Sequence, residues 1–145
     1  MAVAKWSTPA TRGSNIAGNA INSLATGSET ISANAIPYDN GTNRDLYAAV
    51  TIKLASFAST VTAGGSVTLR VYSGDGTDAP DIGGGPFDSY VAALTVSTSA
   101  KVVTFPMVRL YPFSNMRFTV VNNAGVSTAS SGHELYVRPF NEDVS

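Results

Sequence analysis

The stretch LYAAVTIKLASF, residues 46–57, has an apolar residue at every second position from Leu46 to Leu54, and Thr51 and Lys53 fall between them. Side chains along a β-strand point alternately to opposite faces of the sheet. A period of two with one apolar face therefore predicts a strand whose inner face lies in a core and whose outer face meets solvent.

Further segments repeat this pattern, and clusters of Gly, Ser, Asn and Pro separate them. They are SVTLRVYS (66–73), SYVAALTVS (89–97), KVVTF (101–105), VRLY (108–111), MRFTVVN (116–122) and HELYVRPF (133–140), with ETISANA (29–35) as a weaker first strand. About eight short strands of this kind predict an all-β fold, an antiparallel sandwich or barrel. Of these two, we expect a jelly-roll-like sandwich. The predicted core consists of Val50, Ile52, Leu54, Val67, Leu69, Val71, Phe118 and Val120.

Local signals add three expectations. A short polar link between 89–97 and 101–105 is typical of a hairpin. Pro106 and Pro112 bracket 108–111, which predicts a separate short strand or an edge, because proline cannot donate to a ladder. Residues 14–27 have apolar positions at helical spacing between Ser14 and Gly27, which predicts one short helix. We expect an N-terminal arm at 1–13 and a single domain at 14–145.

Composition limits the classes of partner. Only 13% of the 145 residues are charged, the net charge is −1, and nine Lys and Arg are spread thinly, so a clustered basic surface for nucleic acid is not expected. No stretch approaches the roughly 20 apolar residues that span a bilayer, and the first residues lack the apolar segment of a signal peptide. The chain has no Cys. We therefore expect synthesis in the cytoplasm and no membrane or nucleic-acid partner.

The Gly-rich stretch 64–87 contains three spaced aspartates, Asp75, Asp78 and Asp81. Carboxylates at loop spacing suit calcium, but the order D-G-T-D-A-P-D lacks the distal Glu of an EF-hand. Asp and Gly directly after a strand are also what a turn requires. We expect a structural loop with no metal and no cofactor, and weak calcium binding is the alternative.

No set of catalytic residues is apparent. His133 is the only histidine, and neither a G-x-S-x-G elbow nor H-E-x-x-H accompanies it, so we expect no enzyme activity. A sugar-binding face is an alternative that several strand aromatics suggest, although such residues more often pack across strands. These aromatics are Tyr47, Tyr72, Tyr90, Tyr111 and Tyr136.

The N-terminal arm holds the chain's only Trp, Trp6, next to Lys5 and ahead of Pro9 and Arg12. Trp and Arg are the residues most enriched among binding anchors. We therefore predict that these four residues take part in an interface with a partner protein or with further copies of the chain. The alternative is that Trp6 folds back and closes one end of its own sandwich.

Three segments within roughly the first 80 residues resemble the decoration, or cement, proteins of tailed bacteriophages. They are the INSLATG segment (21–27), the NGTNRDLY strand entry (40–47) and the SGDGT strand end (73–77). The resemblance implies a jelly-roll-like, non-enzymatic virion protein that binds the outside of the head and stabilises contacts between major capsid subunits. It also implies a homo-oligomer, a dimer or a trimer. A carbohydrate- or receptor-binding module of a phage tail or fibre is the alternative.

Overall fold

The computed structural model describes residues 4–30, 34–82 and 85–144, and these residues form ten strands: eight in two antiparallel sheets and two in a separate ribbon. The strands are β1 (Ala4–Trp6), β2 (Ser28–Glu29), β3 (Ile36–Tyr38), β4 (Tyr47–Leu54), β5 (Ser66–Ser73), β6 (Asp88–Ala93), β7 (Lys101–Arg109), β8 (Met116–Asn123), β9 (Glu134–Phe140) and β10 (Glu142–Val144). Among the described residues there is no α-helix, and none forms a helix long and apolar enough to cross a bilayer.

The first sheet has the order β2–β8–β5–β6, with β3 also paired to β8, and the second has the order β7–β4–β9. β1 and β10 form a separate two-stranded ribbon. The pairings of β3 with β8, β4 with β7 and β5 with β6 are nested, as in a long hairpin folded over on itself. The antiparallel β-sandwich is confirmed. Its eight-strand jelly-roll form stays a prediction.

The core lies between the two sheets and confirms the predicted register. Ile52, Leu69 and Phe118 are fully buried, and all eight predicted core residues belong to one buried cluster. Leu46 is the exception on the predicted apolar face. It precedes β4, beyond the end of the packed sheet, and is 49% exposed.

The predicted helix at 14–27 is wrong. Residues 18–23 form turns, and Gly18 and Ser23 have φ values of 53° and 51°, which a right-handed helix excludes. The backbone N–H of Ser23 donates to Ala129 O at 2.8 Å, and that of Leu24 donates to Thr128 Oγ1 at 2.8 Å. Distant partners therefore replace the hydrogen bonds that a helix would make locally.

The predicted hairpin between 89–97 and 101–105 is also wrong, because β6 and β7 belong to different sheets. Residues 94–100 cross from one sheet to the other. Leu94 N–H donates to Gly65 O at 2.9 Å at the start of this crossing. The buried Lys101 follows it, and its amine donates to Thr95 Oγ1 at 3.0 Å and to Ser97 Oγ.

Pro106 lies inside β7 and does not end it, so the two predicted strands at 101–105 and 108–111 are one strand that ends at Arg109. Val50 pairs with Phe105 and Ala48 with Val108, so two residues of β7 lie opposite Ala49. This β-bulge accommodates the proline, which cannot donate to the ladder. The weaker predicted strand at 29–35 begins within β2, and residues 31–33 lie outside the described residues.

Candidate functional site

The N-terminal arm lies along β9 and extends the edge of the second sheet. The backbone N–H groups of residues 7, 10, 13 and 16 donate to the carbonyl oxygens of residues 141, 139, 137 and 135, at 2.8, 3.0, 3.4 and 3.0 Å. Successive hydrogen bonds are therefore three residues apart in the arm and two residues apart along β9. The arm is held by hydrogen bonds in a conformation that is not a regular strand, and the series continues to Ile16, past the predicted boundary at residue 13.

Trp6 lies at the corner where this arm meets the outer face of the second sheet. It pairs with Glu142 in the β1–β10 ribbon. Its ring contacts Tyr47 and Phe140 edge-on, with centroid distances of 5.8 and 5.6 Å, and those two rings stack on each other at 5.8 Å. The side chain is nonetheless 53% exposed. One edge of the indole is therefore fixed by aromatic contacts, and the rest faces solvent.

An open, mainly apolar groove of about 360 Å³ begins at this indole, and we call it the Trp6 groove. The bulge in β7 supplies one wall, because it turns Pro106 and Met107 outward, and Met107 is 44% exposed. Exposed Trp and Met side chains on a fixed backbone are typical of protein contact surfaces. The groove is lined by Trp6, Ser7, Pro9, Pro106, Met107 and Phe140.

The four predicted interface residues do not all lie at this groove. Trp6 and Pro9 line it together. Lys5 precedes Trp6 in β1, so its side chain points to the other face of the ribbon. Arg12 lies further along the arm, with its guanidinium carbon 3.8 Å from the centroid of the Tyr136 ring. The sequence did not identify Phe140 or the β-bulge as parts of this groove. Pro106, inside an otherwise alternating run, was the signal that could have indicated the bulge.

The three aspartates of the Gly-rich stretch lie in the loop between β5 and β6, as predicted. Asp75 Oδ1 accepts the backbone N–H groups of Thr77 and Asp78, each at 2.8 Å, and these two bonds hold the pKa of its carboxyl below the usual range. Asn115 closes the loop from the other side by accepting Gly76 N–H at 3.1 Å and donating to Asp78 O. Asp75 therefore organises a turn. Within the described ranges, no three His, Cys, Asp or Glu residues form a metal-binding group.

His133 is buried, and both of its ring nitrogens are engaged. Nδ1 accepts the backbone N–H of Ala55 at 3.2 Å, and Nε2 lies 2.9 Å from Ala129 O. Because Nδ1 is an acceptor, the proton of the neutral ring lies on Nε2 and is donated to that carbonyl. The imidazole links two loops and has no nitrogen left for a substrate.

The tyrosines that suggested a sugar-binding face are divided between the two sheets, and most of their hydroxyls serve structural bonds. Tyr72 OH donates to Glu29 and Tyr136 OH to Glu134, each at 2.8 Å. Tyr111 OH donates to Asp88 at 2.8 Å, and burial followed by this bond raises the pKa of Tyr111 to about 12. These five side chains therefore do not form one binding face.

Tyr47 and Tyr111 do share a depression of about 390 Å³ next to the Trp6 groove. Arg109 and the exposed Leu46 also line this depression.

Comparison of the chain with protein-family models, with characterised proteins and with solved structures gives no match. The surface chemistry of the chain is therefore the basis for a functional hypothesis.

Proposed function

We propose that this chain is a structural virion protein, a decoration or cement protein that binds the outside of a tailed-phage head and stabilises contacts between major capsid subunits. The observation that carries the proposal is the Trp6 groove, an exposed apolar surface on hydrogen-bonded backbone. The similarity of residues 21–27, 40–47 and 73–77 to decoration proteins supplies the biological context. The protein would be made in the host cytoplasm and join the outer capsid surface.

The groove suits a protein partner because its exposed groups are large and apolar. Trp6 and Met107 are 53% and 44% exposed, and Pro9 and Pro106 present apolar rings beside them. An inserted apolar side chain would cover these surfaces and gain roughly 25 cal/mol for each Å² of apolar area removed from water. Trp at the centre of such a contact is characteristic of residues that dominate binding energy.

The arm supports the same proposal through preorganisation. Its backbone is bonded at three points to β9 and at a fourth to Asn141 directly after it, and Arg138 Nε donates to Ala10 O at 2.8 Å. Asn141 N–H also donates to Ser7 Oγ at 2.8 Å, directly beside Trp6. A contact surface that is ordered before binding avoids the entropy cost of ordering a free terminus.

A non-enzymatic role agrees with the hydrogen bonding of the side chains that could act in catalysis. The His133 nitrogens and the Asp75 oxygen Oδ1 are occupied by backbone partners. Glu29 accepts hydrogen bonds from Arg70, Tyr72 and Thr119. These groups stabilise loops and strands, so we assign them no part in a reaction.

The proposal is tested by comparing heads that carry the protein with heads that lack it. A cement protein raises the temperature at which heads release DNA, because it adds contacts across subunit boundaries. Adding the purified protein back to bare heads should restore that temperature. Equal survival of decorated and bare heads would contradict a cement role.

The second candidate is a carbohydrate- or receptor-binding module of a tail or fibre. The depression beside the groove favours it, because Tyr47, Tyr111 and Arg109 combine aromatic surface with a guanidinium. A glycan array separates the two: specific glycan binding that is lost in Tyr47→Ala, without binding to heads, would favour the second candidate.

A further inference from the structure

We propose that copies of this chain associate head to tail, with the acidic loop segment 75–81 of one copy lying on a cationic strip of the next. The strip consists of Arg12, Lys53 and Arg138 on the outer face of the second sheet, around Tyr136. The inference rests on the homo-oligomer that is part of the proposed function. It names the interface of that oligomer.

The strip has more cations than carboxylates. Arg12 and Lys53 both lie over the Tyr136 ring, at 3.8 and 5.3 Å from its centroid. Glu134 is the one carboxylate among them, and its Oε2 lies 3.1 Å from Lys53 Nζ. Tyr136 OH and then Lys53 hold the pKa of Glu134 below its usual range, so this carboxylate is ionised and already engaged.

Arg138 adds a third cation on the same face, since residues 134, 136 and 138 alternate with the buried Leu135 and Val137. Three cations and one carboxylate give the strip a net charge of +2 in a protein whose net charge is −1. Thr51 and Thr104, bonded to each other at 3.0 Å, are uncharged neighbours, and Thr51 lies opposite Tyr136 in the sheet. The strip is therefore suited to an acidic segment of a partner.

The chain itself carries such a segment. Asp75, Asp78 and Asp81 are all exposed, and no Lys, Arg or His occurs between Arg70 and Lys101. Asp75 and Asn115 hold the turn at residues 75–78 by hydrogen bonds, and the exposed Asp78 and Asp81 lie at the end of this turn and just after it. Over the part of the chain that the structure describes, the two ion pairs are Lys53–Glu134 and Arg70–Glu29, and neither involves this loop.

A contact between two different surfaces is heterologous, and it closes into a ring when the rotation between copies allows it. The strip lies on the second sheet, whereas the loop joins two strands of the first. None of the three strip residues lines the Trp6 groove, although Arg12 belongs to the arm and Arg138 Nε donates to Ala10 O within it. Self-association and attachment to the head therefore use different contact residues.

The test measures the molar mass of the purified protein by light scattering and its dissociation constant by sedimentation. The wild type should be assembled at about 10 mM salt and dissociate at about 500 mM, where the Debye length falls to a few ångströms. Arg12→Glu with Arg138→Glu should raise the dissociation constant by about 100-fold or more, because like charges then face each other. Asp78→Lys with Asp81→Lys should do the same.

Mixing the strip variant with the loop variant should restore association between unlike copies, because each acidic surface of one then faces a basic surface of the other. Arg44→Glu with Arg117→Glu changes the net charge equally but lies outside the strip, so this matched control should assemble like the wild type. Thermal melts verify that each variant is folded. A monomeric wild type, an assembled strip variant, failure of the mixture to assemble, or dissociation of the control would each overturn the inference. These outcomes are independent of whether the protein binds heads.

Discussion

Trp6 lies edge-on to Phe140, with 5.6 Å between the ring centroids and 90° between the ring planes. This geometry keeps one edge of the indole on its own sheet and leaves 53% of the side chain exposed. The residue therefore combines a fixed position with free apolar surface. Both properties are needed in a preformed binding anchor.

Trp6→Ala should lower the free energy of unfolding by only about 1–2 kcal/mol, because roughly half of the side chain is already in water. A fully buried Trp would cost about 3–5 kcal/mol. Chemical denaturation measures the difference. Phe87→Ala is the matched control, since Phe87 is a 60% exposed aromatic residue away from the groove. A loss of about 3 kcal/mol or more, the cost expected for a fully buried Trp, would show that Trp6 closes one end of its own sandwich.

His133→Phe should destabilise the fold by about 1–3 kcal/mol, because it leaves the part-buried Ala55 N–H without a partner and removes one of the two hydrogen bonds to Ala129 O, which keeps the bond from Ser23 N–H. The measurement is denaturant unfolding at neutral pH. Ser131→Ala, at an exposed neighbouring position, should change stability by less than about 0.5 kcal/mol. An equally stable Phe variant would show that the imidazole does not link these two loops.

Calcium should not stabilise the protein. Asp75 Oδ1 is engaged with the turn, so the loop lacks a set of carboxylates directed at one point. Melting curves in excess calcium and in excess chelator should superimpose. A specific site at 100 times its Kd would add about 2.7 kcal/mol of stability. A clear upward shift with calcium, lost in Asp78→Asn with Asp81→Asn, would contradict the assignment of this stretch as a structural loop.

Stability should fall at alkaline pH partly through Tyr111. Its pKa is about 12 in the folded chain, against an ordinary value of 10.0. Between these two values the unfolded chain releases the phenolic proton while the folded chain retains it, so rising pH favours unfolding. Melting temperatures from about pH 9 to 11 should decline less steeply in Tyr111→Phe than in the wild type. Parallel slopes would contradict this contribution, and Tyr47→Phe serves as the control.

Alternating strands could be predicted from the sequence because burial of one face is a local pattern. Ile52, Leu69 and Phe118 are buried where the period of two put them. The turns at 18–23 could not be predicted in this way. Their apolar residues have helical spacing, yet the hydrogen bonds that decide the conformation come from Thr128 and Ala129, more than a hundred residues away.

The path of β7 and the Trp6 groove could not be predicted from the sequence either. A short polar link permits either a hairpin or a crossing between sheets, and the choice depends on the partners of residues 94–98, such as Gly65 and Phe57. Pro106 signalled an irregularity, but whether it ended the strand or formed a bulge depended on β4. The sequence of the arm does not show the two-residue alternation of a strand, because its hydrogen bonds to the β9 edge recur every three residues.

The most direct test of the central claim is binding of the labelled, purified protein to heads assembled without it, measured by co-sedimentation. The wild type and Phe87→Ala should bind saturably and with equal affinity, whereas Trp6→Ala should raise Kd by about 30-fold or more, the equivalent of about 2 kcal/mol. Absence of wild-type binding, or equal binding by folded Trp6→Ala, would contradict attachment to the head through the Trp6 groove.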